Sequence, residues 1–355
     1  MPLLPLLGHQ ALRDRLDAQI ARGALPASLL LQGPAGVGKQ RLALWLGQRL
    51  LCEGVNAPCG ECQHCKYALM GAHPDLHWVF PLPRLKDGAD ASLEEVEELY
   101  REAVADRMES HGLYGRADGM TGLYQYVTRL IVQQATRTPA MARRKVFVVG
   151  DADRLVPQAA NPEAANALLK LLEEPPADTT LILTTSEPGA LLPTIRSRVV
   201  IVRVPPVSDA DVRAFIATPE VRTALGKKAA ADDDLLAMAG GAPGALLSAT
   251  DRGAAVARAR ALLDAARGGP DTRLRAAFTQ GSSKARGAFS DVLDALTVLL
   301  RDDVRDAAAR GDAARALAAA KGVAFVEEAK RSAEGNIIPQ LVTADLLTHL
   351  AELGT

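Results

Sequence analysis

The sequence predicts an α/β core built on a parallel sheet flanked by helices, with an all-helical remainder behind it. Three observations carry that prediction. A short apolar run, "SLLLQ", leads into the glycine-rich stretch "GPAGVGK" and then a helical pattern. Further apolar runs alternate with helical segments as far as Val204, as in a buried parallel sheet. Beyond Pro205 and Pro206 no strand pattern is found.

Residues 10–22 read as an amphipathic helix, with Leu12, Leu16 and Ile20 at four-residue steps. Ser28 to Gln32 is the first strand. Lys39 to Leu51 is a helix with Leu42, Leu46 and Leu50 on one face. The second strand is Arg143 to Asp151, "RRKVFVVGD"; Thr179 to Thr185 is a third and Val199 to Val204 a fourth. Between them, residues 81–122 interrupt the α/β pattern. They hold a capping box from Ser92 to Glu95, an acidic helix carrying Leu93, Val96, Tyr100 and Val104, and a glycine-rich polar stretch. This segment reads as an insertion, functional or merely tolerated. Ser208 or Asp209 can cap a helix that opens a small helical domain closing at "GGAPGALL". The remainder reads as a helical bundle with an Ala-rich stretch at 307–320 and a last helix starting near Pro339. The expected domains are therefore 1–205, 206–250 and 251–355.

Composition bounds the function. A chain of 355 residues suits two or three domains, and 48% apolar residues can fill their cores. No run is long enough to cross a bilayer. "MPLLPLLGHQ" lacks a basic start and is broken by prolines, so no signal peptide is expected. A net charge of −1 lacks the basic excess of many nucleic-acid binders. Any DNA contact should be local or made by a larger assembly.

The glycine stretch fits a phosphate-binding loop, Gly-x-x-x-x-Gly-Lys, with Gly33, Gly36, Gly38 and Lys39 in place. Glycines let successive N–H groups face phosphates, and the helix N-terminus adds a favourable dipole. The next position should be Ser or Thr, whose hydroxyl ligates Mg²⁺; here it is Gln40. The second strand should end in a Walker B acidic pair. In one register Gly150 replaces the metal-holding Asp and Asp151 the catalytic Glu. In the other, Asp151 holds the metal and Ala152 replaces the base. Either way one acid is missing. These read as two independent defects that point to lost hydrolysis, with bound ATP and Mg²⁺ left open.

All four cysteines fall at Cys52-x6-Cys59-x2-Cys62-x2-Cys65. Four thiolates with C-x2-C steps suit a closed, structural Zn²⁺ site in a reducing compartment. His64, His73 and His77 are nearby alternatives, and four sulfurs make them unnecessary. "NPEAANALLKLLEEPP", from Asn161, reads as a core helix with Ala165, Leu168, Leu169 and Leu172 on one face, ended by Glu173, Glu174 and two prolines. The third strand ends in Thr184 and Thr185, at the edge where parallel sheets bind ligands. "TIRSR" then places Arg196 and Arg198 before the last strand, either as solvated surface arginines or as a finger for phosphate on a neighbouring subunit.

Together, the degenerate phosphate loop, the four-cysteine module directly after its helix, "AANALLKLLEEPP" and "IRSR" resemble the clamp-loader branch of the AAA+ ATPases. The resemblance covers the chain except 81–122. It implies an AAA+ core, a helical lid and an oligomerising collar in a five-subunit bacterial ring, in the replisome of the cytoplasm. The implied partners are the other loader subunits, the sliding clamp and primer-template DNA; no membrane is involved. It implies a finger role for Arg198, in Ser197-Arg198-Val199 where the family has Ser-Arg-Cys, and a sensor role for Thr185. Active members carry a lid arginine that Gly240 to Leu247 lacks, which makes a third missing part. The reading expected is a non-hydrolysing scaffold subunit. An active ATPase relying on Lys39 and Asp151 is the runner-up, and a zinc-containing nucleic-acid binder with a relic loop is the third.

Overall fold

The computed structural model describes residues 1–85, 91–115, 121–155, 163–226, 232–248, 252–279, 286–334 and 338–353. Asn161, Pro162 and parts of 81–122, 206–250 and 251–355 lie outside the described residues. The chain forms two compact units, Met1–Ser248 and Ala249–Thr355. Among the described residues no helix is long and apolar enough to cross a membrane.

In the first unit, α1 (Gln10–Ala21), β1 (Ser28–Gln32), α2 (Lys39–Leu51) and α3 (Gln63–Leu69) are followed by β2 (Leu76–Val79) and β3 (Leu82–Pro83). Then come α4 (Leu93–Glu109), β4 (Thr121–Gly122), α5 (Gln125–Thr136), β5 (Lys145–Val149), α6 (Glu163–Glu173), β6 (Thr179–Thr185), α7 (Pro193–Arg196) and β7 (Val200–Arg203). The main sheet runs β2-β5-β6-β1-β7, and every pairing in it is parallel. β3 and β4 pair antiparallel beside it. The expected α/β core of a parallel sheet between helices is thus present. The sheet also includes β2, an edge strand absent from the sequence reading.

The strands explain the two-layer core. Successive side chains point to opposite faces. Leu29, Leu31, Val146, Val148 and Ile182 face one cluster, with Leu16, Leu42 and Leu46 of α1 and α2. Leu30, Phe147, Val149, Leu181 and Leu183 face the other, with α5 and with Leu168, Leu171 and Leu172 of α6. Burial on both faces is why these strands read as continuous apolar runs.

Helix α4 begins with the expected capping box: Ser92 accepts from the Glu95 N–H, and the Glu95 carboxylate accepts from the Ser92 N–H. It is built into both clusters, Val96 and Tyr100 into the second and Met108 into the first. The Tyr100 hydroxyl donates to the Phe80 carbonyl at 2.7 Å.

Short helices α8 (Asp209–Ala217), α9 (Pro219–Leu225) and α10 (Asp232–Ala239) complete this unit, with a 3-10 turn at Pro243–Ser248. Ser208 caps α8, accepting from the Asp211 N–H. Val207, Val212, Ile216, Leu235, Ala239 and Leu246 form their core.

The second unit holds α11 (Arg252–Arg267), α12 (Pro270–Phe278), α13 (Arg286–Ala309), α14 (Ala313–Glu334) and α15 (Pro339–Glu352). Its core is Leu262, Val292, Leu296, Leu300, Val326, Leu346, Leu347 and Leu350, among others. The Ala-rich stretch is divided between two helices, because Gly311 at φ 75° turns the chain. Pro339 opens α15, where its missing N–H costs nothing.

Candidate functional site

The glycine loop leaves the C-terminal end of β1, the edge of a parallel sheet where ligands bind. Close packing dictates its glycines. A Cβ on Gly33 would stand 2.2 Å from the Val204 carbonyl oxygen, and one on Gly36 would stand 2.4 Å from the Ala245 nitrogen. Gly38, at φ 94°, starts α2. The Gly244 N–H donates to the Gly36 carbonyl at 2.8 Å, so the 3-10 turn at Pro243–Ser248 rests on the loop. His9 Nε2 lies 2.8 Å from the Val37 carbonyl on another side.

Lys39 is buried. Its ammonium donates to the carbonyls of Gly33 at 3.0 Å and Pro34 at 2.8 Å, and to Ser186 Oγ at 2.8 Å. Burial lowers its pKa to about 8, against the opposing pull of Asp151 and Asp153. Asp151 adopts the left-handed region at φ 46°, held by its N–H donating to Thr184 Oγ1 at 3.0 Å. Burial, and then Asp153, push its carboxyl above the ordinary range, while Lys39, Arg154 and Arg107 pull it back. Thr185 Oγ1 donates to Asp153 Oδ1 at 2.5 Å.

Gln40 is the centre of a network. Its amide nitrogen donates to Asp151 Oδ2 at 3.1 Å. Its carbonyl accepts from Trp78 Nε1 at 3.0 Å and from Arg107 Nη1 at 3.3 Å. A Cβ on Gly150 would stand 2.5 Å from Gln40 Cδ and Nε2. The two departures that read as independent are therefore one contact: residue 150 has no side chain because the residue 40 amide lies in its space. The sequence reading also missed Arg107, Trp78 and Ser186. Arg107 continues the apolar stripe of α4 three residues after Val104, an unusual place for an arginine.

This geometry does not fit the Mg²⁺ site of a hydrolysing loop. An amide carbonyl has two lone pairs, and Gln40 spends both on Trp78 and Arg107. The Lys39 ammonium likewise places its three N–H donors within the chain, on Gly33, Pro34 and Ser186.

The four cysteines converge as expected. Their sulfurs lie within 4.8 Å of one another. Cys52 and Cys59 are 3.5 Å apart, while the Cys59–Cys65 and Cys52–Cys62 separations are both 3.9 Å. A tetrahedron with Zn–S bonds of ~2.3 Å has edges of ~3.8 Å, so the donor set fits Zn²⁺. Backbone N–H groups of Gly54 and Cys59 point at Cys52 Sγ, at 3.3 and 3.4 Å. The Cys62 N–H reaches Cys59 Sγ at 3.3 Å. Donation from Cys62 and Glu61 lowers the Cys59 thiol to about 6, whereas burial pushes Cys65 to about 12. Bound zinc would tie the 52–65 loop to α3 as a structural clamp. Of the nearby histidines, His64 and His73 bond each other at 2.9 Å, and His77 stacks on Phe147.

Arg198 sits elsewhere, just after α7. Its Nε donates to Glu173 Oε1 at 2.6 Å, Nη2 reaches the same oxygen, and Nη1 donates to the Thr194 carbonyl at 2.9 Å. Glu173 closes α6, so "LLEEPP" and "IRSR" meet in space.

The family described as "DNA polymerase III, delta subunit" matches residues 8–112 and 125–208. The match includes α4, so the part of 81–122 left outside it is 113–122. The chain is 34% identical over 216 residues to the DNA polymerase III subunit delta' of Pseudomonas aeruginosa, covering 60% of this chain and 52% of the relative. It is 33% identical over 180 residues to the delta' subunit of Bacillus subtilis, covering 50% and 42%. It is 31% identical over 195 residues to the subunit gamma/tau of Mycobacterium tuberculosis, covering 54% and 27%. The chain spans about half the length of the delta' relatives. With a family match over more than half of its residues, the chain belongs to the DNA polymerase III delta-subunit family and is similar to its delta' members.

Proposed function

We propose that this chain is a non-hydrolysing scaffold subunit of the DNA polymerase III clamp loader. In this reading it sits beside a gamma/tau motor subunit and a delta subunit in the bacterial cytoplasm. It supplies Arg198 to ATP bound on the motor while the ring loads the sliding clamp onto primer-template DNA. Residues 1–205 serve as the AAA+ core, 206–250 as the lid and 251–355 as the collar that joins the ring. The carrying observation is the Gln40–Gly150 contact, which removes the hydroxyl and an acid from the loop. The loop's frame and Arg198 are kept. An arginine finger is worth orders of magnitude in turnover, so a subunit without hydrolysis can still govern catalysis next door. Thr185 bonds Asp153 and is suited to reporting the state of the loop to the β5 edge.

The runner-up is an active gamma/tau-like ATPase. Its supporting observation is that Lys39, Asp151, Asp153 and Thr185 still gather at one sheet edge. Hydrolysis by the purified chain separates the two. The scaffold reading expects phosphate release no faster than the Lys39→Ala variant gives. Turnover that Lys39→Ala abolishes would establish the ATPase instead.

A further inference from the structure

We infer that Arg107 is the resident cation of the phosphate loop. With the Gln40 amide it takes over the charge and the contacts that a divalent metal and its hydroxyl ligand supply in a hydrolysing loop, closing this one to metal–nucleotide from inside the chain. This deepens the reading of the loop as non-hydrolysing and does not depend on Arg198.

Four observations carry it. First, Arg107 comes from the far end of α4, sixty-seven positions from Gln40, yet its Nη1 lies 3.3 Å from Gln40 Oε1. Second, the guanidinium is clamped by aromatic rings. Its Cζ lies 3.2 Å from the Phe80 ring centre, 3.7 Å from that of Tyr114 and 4.8 Å from that of Trp78. Such stacking favours a weakly hydrated guanidinium over a hydrated metal ion. Third, Arg107 is one of three cations, after Lys39 and Arg154, whose charges act on Asp151 against its burial. Fourth, the ligand set for a metal is already spent. Mg²⁺ asks for about six oxygens in near-ideal octahedral array. Here Gln40 Oε1 holds two donors, one Asp151 oxygen holds the Gln40 amide, and Gly150 offers none.

The turn after α4 explains why the guanidinium stays. Gly112 packs so closely on Leu3 that a Cβ would stand 2.3 Å from Leu3 Cδ2. The Leu4 N–H donates to the His111 carbonyl at 3.2 Å, and Arg41 beside Gln40 donates back to the Leu4 carbonyl. The N-terminal segment at Leu3 and Leu4 and the end of α4 thus brace Arg107 against α2.

The test uses the full-length chain and two probes. The first is mant-ATP, titrated into wild type with Mg²⁺ and with EDTA. The expected result is affinity that differs by less than about threefold between the two conditions, including no binding in either. Binding tighter with Mg²⁺ by more than that factor would overturn the inference. The second probe is Mn²⁺ with Arg107→Ala, followed by electron paramagnetic resonance of the free ion. Excising the guanidinium leaves a void among the Phe80, Tyr114 and Trp78 rings and a vacated lone pair on Gln40, whose amide bonds Asp151. The variant is expected to bind about one Mn²⁺ that wild type does not, and Asp151→Asn added to it should abolish that binding. A folded Arg107→Ala that binds no more Mn²⁺ than wild type would overturn it. If that variant does not fold, the wild-type titration still decides.

Discussion

Replacing Gly150 with alanine is expected to destabilise the first unit strongly in the native background and weakly once Gln40 is shortened. The added Cβ would stand 2.5 Å from Gln40 Cδ and Nε2 and 2.6 Å from Oε1. Ordinary carbon contacts lie at about 3.5–4.0 Å, so the amide must retreat by about 1 Å. That retreat would stretch the 3.0 Å bond from Trp78 and the 3.1 Å bond to Asp151 beyond hydrogen-bonding range. Overpacking costs about 1–3 kcal/mol, and a buried donor left unpaired about 1–3 kcal/mol more. Gly150→Ala should therefore cost about 2–6 kcal/mol. In the Gln40→Ala background the space is open, and the same change should cost less than about 1 kcal/mol. The coupling energy is then at least about 1 kcal/mol, above the ~0.5 kcal/mol by which independent sites fail to add. Urea unfolding followed by tryptophan fluorescence suits the cycle. Both tryptophans, Trp45 and Trp78, are buried in the first unit and report it separately from the helical one. Additive effects would refute the argument that residues 40 and 150 share one space.

Three further outcomes are expected. Wild type should carry one zinc by elemental analysis and Cys62→Ala should not, while the far-UV spectrum keeps its helical and strand content; a purified wild type without zinc would contradict the four-cysteine site. Asp75→Asn should cost about 2–4 kcal/mol in urea unfolding, because its carboxylate accepts from the N–H groups of Ala140, Met141 and Ala142 at 2.6–2.8 Å, and such charge-assisted bonds are worth about 1.5–3 kcal/mol each in isolation. Stability should also fall as pH drops from 6.5 to about 4. Burial holds His73 and His77 at about 4 in the folded state, so the unfolded chain binds their protons first, at up to about 1.4 kcal/mol per pH unit for each. Those contributions are complete above pH 6.5. The Asp75 carboxyl, for which burial is outweighed by N–H donation, adds stability that persists lower and goes only as pH falls through its depressed folded value. A flat stability between pH 6.5 and 4 would contradict the buried neutral histidines.

What was legible in the sequence was whatever local pattern dictates. β1, β5 and β6 are apolar runs because helices cover both faces of the sheet there, whereas β7, at the edge, buries only Val202 of its four residues. Ser92 and Ser208 announced their helices because a cap is a contact between residues three apart. The cysteine spacing fixed its own cluster. β2 escaped because it is four residues at a sheet edge, paired only with β5 and containing His77, so it shows neither a long apolar run nor alternation. The site was half legible. Gln40 and Gly150 were visible as departures from a pattern, but their contact spans 110 positions and has no local signature. Arg107 was hidden for the same reason. Its place on the stripe of α4 was readable, whereas the rings that receive it come from β2, the residue after it and the turn beyond the helix. Arg198 was legible as a candidate, and its Glu173 partner was not, because the two motifs meet only in the fold.

The most direct measurement of the central claim is DNA-stimulated ATP hydrolysis by the reconstituted loader. Wild type would be set against Arg198→Ala and Lys39→Ala, with ring assembly confirmed for each by sedimentation. The account predicts that Arg198→Ala lowers turnover by about tenfold or more while Lys39→Ala stays within about twofold of wild type. The opposite pattern, a collapse with Lys39→Ala and none with Arg198→Ala, would mean that this chain's own loop does the work.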